Sequence, residues 1–314
     1  MVTYYQKYDG KLQSVMDGAA PWIHVTSPLD NAELEHLASS EDIPLDFLID
    51  SLDIDERSRY EREDEVRLIV INVPVINSDE KESDALYITA PIGIIMKADK
   101  TITISSTENE VIDRFLQQRV RNFDPADQRR FVLQIFQYTV LQFLDVLKKL
   151  NSRRNVIEKE LYSSSRNREL RQLLKIEKSL VYMLNSLSDN DLLKQKMKRT
   201  DFLNVRSNEE YQDLFEDIII DNSQALEMAN VHTNLLSSTM EAYASIISNN
   251  LNVIIHRLTT ITIVLMVPTI VFSFYGMNVT LPMEEHPATA YLLILLSLIL
   301  SVVLIAFFRR KDNI

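Results

Sequence analysis

The sequence predicts an α+β cytoplasmic N-terminal domain followed by a long stalk helix and a two-helix transmembrane hairpin, with helix predominating overall. Three observations carry that expectation. Charge is confined: the last 57 of 314 residues hold three acidic and three basic side chains, so the whole formal charge of −12 belongs to residues 1–257. Leu258 to Tyr275 and Tyr291 to Phe308 contain no charged residue, and each is 18 residues long, about 27 Å as helix against a hydrocarbon core of about 30 Å. Between Pro125 and Pro268 there is neither glycine nor proline, and so long a run without a breaker favours long helices.

The elements follow in order. Over residues 1–110, apolar and β-branched runs at Trp22 to Val25, Val66 to Ile76, Leu86 to Thr89 and Thr101 to Ser105 read as strands. Segments near Ala32 to Ala38 and Leu45 to Leu52 read as helices, which makes this part a small α/β layer. Residues 111–204 read as helical: Phe131, Ile135, Tyr138, Leu141, Leu144 and Leu147 recur at helical spacing from Asp127 to Leu150, and Leu170 to Leu187 repeats the pattern, so antiparallel helices are expected. The stalk is expected over residues 205–257. From Glu209 the periodicity passes through Leu214, Ile218, Leu226, Leu235, Tyr243 and Leu251 into the first apolar segment with no cap or turn between. One helix from about Glu209 to Tyr275, roughly 100 Å long, is therefore expected to enter the membrane. Spans at 258–275 and 291–308 flank a loop at 276–290, and 309–314 is a basic tail. Arg257 precedes the first span and Arg309, Arg310 and Lys311 follow the second, whereas the loop has no Lys or Arg but carries Glu284 and Glu285; the positive-inside rule puts both termini in the cytoplasm. Pro287 suits the start of the second span.

Composition narrows the function. An acidic body with a pI near 5.0 lacks the basic stripe that phosphate binding needs, so no nucleic-acid partner is expected and cationic partners fit better. With no cysteine there are no disulfides, thiolate zinc sites or cysteine nucleophiles, and the five histidines show no HExxH or HxH spacing. No GxxxxGK[ST] run occurs, and no enzyme activity is expected. The start, Met1 to Asp9, has no basic segment followed by an apolar one, so the N-terminal body is expected to stay in the cytoplasm.

The first span is not uniformly apolar. Thr259, Thr262, Met266, Thr269 and Ser273 fall at steps of 3 and 4, and the face extends back through Ile255 and Asn252. Hydroxyls have little reason to face lipid, so the stripe implies either close helix packing or a wetted lumen, and spacing does not choose between them. Threonines in membrane helices also bond their own i−4 carbonyl, and Thr260 lies off the stripe. One lining helix per chain cannot enclose a channel, so a pore needs a ring of copies.

The span ends in Tyr275-Gly276-Met277-Asn278, with Pro268-Thr269 shortly before. Upstream stand Tyr243-Ala-Ser-Ile-Ile-Ser248-Asn249-Asn-Leu-Asn252 and Leu258-Thr259, and near the N-terminus Asp50-Ser-Leu-Asp53-Ile-Asp55-Glu56-Arg57 precedes Tyr60-Glu61. In these features the chain resembles the CorA magnesium transporters, whose signature is Gly-Met-Asn after the first of two C-terminal spans. The resemblance implies a homo-oligomer, a pentamer, in the lipid bilayer of the cell membrane, admitting divalent cations and carrying Mg2+ as both substrate and regulatory ligand.

It further implies that Gly276, Met277 and Asn278 form the outer mouth, where magnesium, which releases water reluctantly, is held hydrated by oxygen acceptors. Asn252 becomes a polar ring, Leu258 and Met266 hydrophobic constrictions and Thr269 a hydroxyl ring, with Ile255, Thr259, Thr262 and Ser273 on the same lining. Asp50 facing Asp217 of a neighbouring copy becomes the regulatory magnesium site, with Asp53, Asp55, Glu56, Glu216, Asp221 and Glu241 as further acidic groups. Glu284 and Glu285 would concentrate cations outside. Two departures stand out. Leu281-Pro282-Met283-Glu284-Glu285 inverts the Met-Pro order of many relatives, and Lys194, Lys196, Lys198 and Arg199 give a basic end to the helices before the stalk, where acidic tips are common. His256 is the one histidine beside the lining face. The expected function is magnesium influx, with cobalt or nickel as further cargo. A zinc transporter of the same superfamily and a non-conducting membrane-anchored helical scaffold are the alternatives.

Overall fold

The computed structural model describes residues 1–16, 20–78, 84–163, 167–279, 281 and 288–312. The chain divides into two units, Met1–Met240 and Glu241–Ile314. The first opens with a hairpin of β1 (Val2–Tyr8) and β2 (Lys11–Val15), whose turn residues Asp9 and Gly10 have φ of 48° and 75°, the left-handed geometry of a two-residue hairpin loop. After β3 (Trp22–Thr26) come α1 (Asn31–Glu41) and α2 (Leu45–Asp50). Asp30 caps α1 by accepting from the Glu33 amide at 2.7 Å, while the Glu33 carboxylate accepts from the Asp30 amide at 3.2 Å. Then follow β4 (Arg59–Glu63), β5 (Val66–Ile76), β6 (Tyr87–Lys97), β7 (Lys100–Ser105) and α3 (Glu110–Leu116). The seven strands form one sheet in the order β2-β1-β3-β7-β6-β5-β4, antiparallel except where β3 meets β7.

Both faces of the sheet are covered, so β5 is buried from Leu68 to Val75 and β6 from Ala90 to Met96. Ile23, Val25, Leu68, Val70, Ile95 and Ile104 point to one side, against Leu34 and Leu37 of α1 and Phe47 and Leu48 of α2. Trp22 points to the other, where it packs on Phe115, Phe123 and Phe131. Its indole donates to the Thr103 hydroxyl at 2.8 Å, and that hydroxyl lies 2.9 Å from His24 Nδ1. Burial lowers the His24 imidazole to about 4, so the ring stands neutral.

Three long helices complete this unit: α4 (Gln128–Ser163), α5 (Asn167–Thr200) and the start of α6 (Glu209–Tyr275). α6 has the bounds the periodicity predicts. The expected strand at Leu86 to Thr89 is in fact the start of an eleven-residue β6 that continues through Pro91 and Gly93. At Gly93 a Cβ would lie 2.0 Å from the Ser51 hydroxyl oxygen, so the missing side chain is what lets the end of α2 rest on the sheet.

Candidate functional site: the first apolar span and its terminal turn

In the second unit α6 is unbroken to Tyr275 and α7 spans Thr289–Asp312. At 100° per residue, Asn252, Ile255, Leu258, Thr259, Thr262, Met266, Thr269 and Ser273 fall within an arc of about 120° on α6. Leu258 and Met266 are 63% and 53% exposed within the chain. Thr259, Thr262 and Thr269 each donate to the carbonyl four residues back, Ile255, Leu258 and Leu265, at 2.8, 2.9 and 3.0 Å, and off-stripe Thr260 does the same to His256. The protons of these three hydroxyls are therefore spent on the helix, leaving their oxygen lone pairs as acceptors on this face, which Asn252 begins with an amide that can both accept and donate. Pro268 lies inside the helix and cannot donate to the Val264 carbonyl.

The helix stops at Tyr275. The Gly276 amide still bonds the Phe272 carbonyl at 2.9 Å and the Met277 amide reaches Phe274 at 3.4 Å, after which Asn278 stands exposed in a turn. Gly276 does not take up a left-handed backbone; its constraint is the 3.2 Å separation between a would-be Cβ and the Phe272 carbonyl oxygen. Glu284, Glu285 and the inverted Pro282-Met283 pair lie outside the described residues. α7 is apolar on all sides, with its buried Ser297 hydroxyl donating to Ile294. Along both helices large apolar side chains stand open within the single chain, among them Leu265, Ile270, Leu298 and Val303. Both are long and apolar enough to cross a membrane.

The acidic segment lies in the first unit, and there the structure adds a cation that the sequence reading did not weigh. Arg59 Nη2 donates to Asp50 at 2.5 Å and Nε to Glu56 at 3.0 Å, while Nη1 pairs with Glu61. Partial burial alone would lower the guanidinium, but Glu61 and Glu56 together outweigh it and hold the group above its ordinary value. Asp217 is exposed on α6, one residue from Glu216, which pairs with Lys198 at 3.0 Å. Among the described residues no group of three Asp, Glu or His side chains could hold a metal within one chain. The basic end expected at Lys194 to Arg199 is reduced, because Lys194 is fully buried. Arg59 was legible only in part, as an i+3 partner of Glu56; its contacts with Asp50 and Glu61 depend on how α2 meets β4.

An α+β unit whose last helix runs on into the first of two apolar spans is the build of a two-span membrane transporter. Residues 17–310 match the family described as CorA-like Mg2+ transporter protein, and the chain belongs to that family, whose members are divalent cation transporters and not enzymes. It is 24% identical over 251 residues to a magnesium transport protein CorA of Helicobacter pylori, covering 77% of this chain and 76% of that one, and equally so to its counterpart from a second strain. Among solved structures it resembles the complete CorA magnesium transporter of Methanocaldococcus jannaschii at 22% identity and a TM-score of 0.80, covering 99% of this chain and 98% of the other. It also resembles a full-length CmaX protein (16% identity, TM-score 0.71, 99% and 97% covered). The cytoplasmic domain of ZntB from Vibrio parahaemolyticus shares the fold at 11% identity and a TM-score of 0.61, covering 79% of this chain and 98% of that domain.

Proposed function

We propose that the chain is a magnesium influx channel, a pentamer with both termini in the cytoplasm, in which Gly276, Met277 and Asn278 form the outer mouth and the Asn252 to Ser273 face of α6 lines the path. The observation that carries this is the run of three threonine hydroxyls whose protons are used by their own helix, on a face that leads to the exposed Asn278 amide. A hydrated divalent cation presents water protons outward, so its match is a row of oxygen lone pairs. Hydroxyls already bonded to their own helix supply such a row, and the Asn278 amide carbonyl supplies a stronger acceptor at its end. No carboxylate lies on this face of α6, which suits passage, since a fixed charge in low dielectric holds a divalent ion too tightly to release it. Leu258 and Met266 supply apolar narrowings that close by excluding water.

Regulation is assigned to magnesium between Asp50 of one copy and Asp217 of the next. Opposed carboxylates repel unless a cation bridges them, so an occupied site ties copies together and an empty one loosens the ring. Within one chain Asp50 is paired with Arg59, and Asp217 is exposed on α6.

The test is magnesium flux into liposomes reconstituted with the full chain, with zinc and cobalt as competitors. Asn278→Ala should lower magnesium flux about tenfold or more, since a hydrogen bond to a charged group is worth about 1.5–3 kcal/mol. Unchanged flux in the variant removes the mouth from the account, no flux in the unaltered chain leaves a scaffold, and zinc flux exceeding magnesium reassigns the cargo.

A further inference from the structure

Lys194 on α5 has no exposed surface, although its neighbours Lys196 and Lys198 face solvent or a carboxylate. Its side-chain nitrogen bonds the Asn222 Oδ1 of α6 at 2.7 Å, and sits 5.7 Å from the centre of the Phe136 ring of α4. The same Asn222 donates from Nδ2 to the Leu187 carbonyl at 3.1 Å and to Asp191 at 3.3 Å, so one amide makes three of the bonds that join α6 to α5. Asp191 is the charged group acting on the lysine, from one turn earlier on its own helix; among the described residues its partners on α4 and α6 are Phe136 and Asn222, neither of which titrates. That carboxylate is shared with Ser223 at 3.1 Å and Gln195 at 2.6 Å. The Phe136 ring face and Asp191 favour the ammonium, but a fully buried amine with a neutral amide as its hydrogen-bond partner loses more by desolvation than these return, so the neutral form is the one this site accommodates.

We propose that Lys194 is a proton-operated latch on α6: the neutral amine seats Asn222 against α5, and protonation unseats it, so a rise in cytoplasmic pH tightens the hold on the helix that continues to Tyr275.

Desolvation lowers the seated lysine from its ordinary 10.5 to about 7, with Asp191 opposing the fall. Once α6 lifts, the amine meets water and recovers the higher value. The seated state therefore binds fewer protons than the released state between those limits, and it gains stability as pH rises through that window and none below it. With these two values, the opening equilibrium around Asn222 should fall about fivefold from pH 7 to 8 and about fiftyfold from pH 7 to 9.

The test is hydrogen exchange of the backbone amides around Asn222 in the full chain in detergent, without magnesium and corrected for the intrinsic pH dependence of exchange. This readout does not depend on what the protein transports. Protection in the unaltered chain should climb across pH 7–9. Lys194→Met, apolar and of similar length, should give a flat profile. Asn222→Asp, which gives the ammonium a carboxylate and keeps it charged when seated, should also flatten the climb. Protection that does not change with pH in the unaltered chain, or a climb of the same size in both variants, overturns the latch.

Discussion

Arg59 changes how the acidic segment reads. Asp50, Glu56 and Glu61 share one guanidinium, so the carboxylate proposed to bind regulatory magnesium already has a cation of its own. If magnesium binds there as proposed, it has to compete with Arg59, and that competition would set the concentration at which copies are tied together. Arg59 is 31% exposed, Asp50 37% and Glu61 47%, so each of these two pairs is worth less than about 1 kcal/mol after solvent screening. Arg59→Gln should accordingly lower the magnesium concentration that half-protects the chain from proteolysis by about two- to fivefold. Protection at an unchanged or higher concentration would show that Asp50 does not bind the ion. Lys194 teaches a related lesson about legibility. In Lys194-Gln-Lys196-Met-Lys198-Arg199 it reads as one cation in a basic run, yet Met183, Leu187, Asn190, Lys194 and Met197 recur at steps of 3 and 4 and are all buried. The helical period held the signal, and residue type masked it.

At the scale of elements, legibility follows locality. α6 was readable from end to end because its evidence is an unbroken pattern along the chain, and the strands Val66–Ile76 and Trp22–Thr26 because burial on both faces makes them rich in apolar and β-branched residues, with few polar interruptions such as Arg67, Asn72 and His24. β1, β2 and β4 were missed: the first two are largely polar strands at one edge of the sheet, and β4 is Arg-Tyr-Glu-Arg-Glu at the other. Asp9-Gly10 was the available cue for the first pair. The truncation of β6 at Thr89 had a different cause, since Pro91 and Gly93 are strand breakers unless a neighbour needs the space. Ser51 does: it is fully buried, its hydroxyl donates to the Phe47 carbonyl at 2.6 Å, and it closes the helix that carries Asp50. Gly93→Ala should cost about 1–3 kcal/mol as overpacking, read as a lowered thermal midpoint. Ser51→Gly in the same chain should recover much of that loss. Additive losses in the double variant would show that the two residues do not share the strain.

For the whole molecule, the open question is what covers α6 and α7 along the membrane. Their apolar faces stand exposed within one chain, and lipid can cover α7, which is apolar all round. It suits the acceptor stripe of α6 poorly, and in a ring of copies that stripe would face a shared aqueous axis. The chain offers an unusually clean way to decide, because it contains no cysteine and so has no background reactivity toward thiol reagents. Thr262 and Thr260 both bond their own helix, carry the same side chain and lie two residues apart, but on different faces of α6. Conversion of either to Cys removes the same i−4 bond, so the two variants share any cost to the helix. They differ only in what the new thiol faces. If the stripe lines the path, a charged, membrane-impermeant methanethiosulfonate should abolish magnesium flux through Thr262→Cys and leave Thr260→Cys conducting. Thiols react as thiolates, which form in water and not in lipid, so the contrast in modification rate should be large even before flux is measured. Equal sensitivity at the two positions would place both faces in the same environment, and the conducting path would have to lie elsewhere.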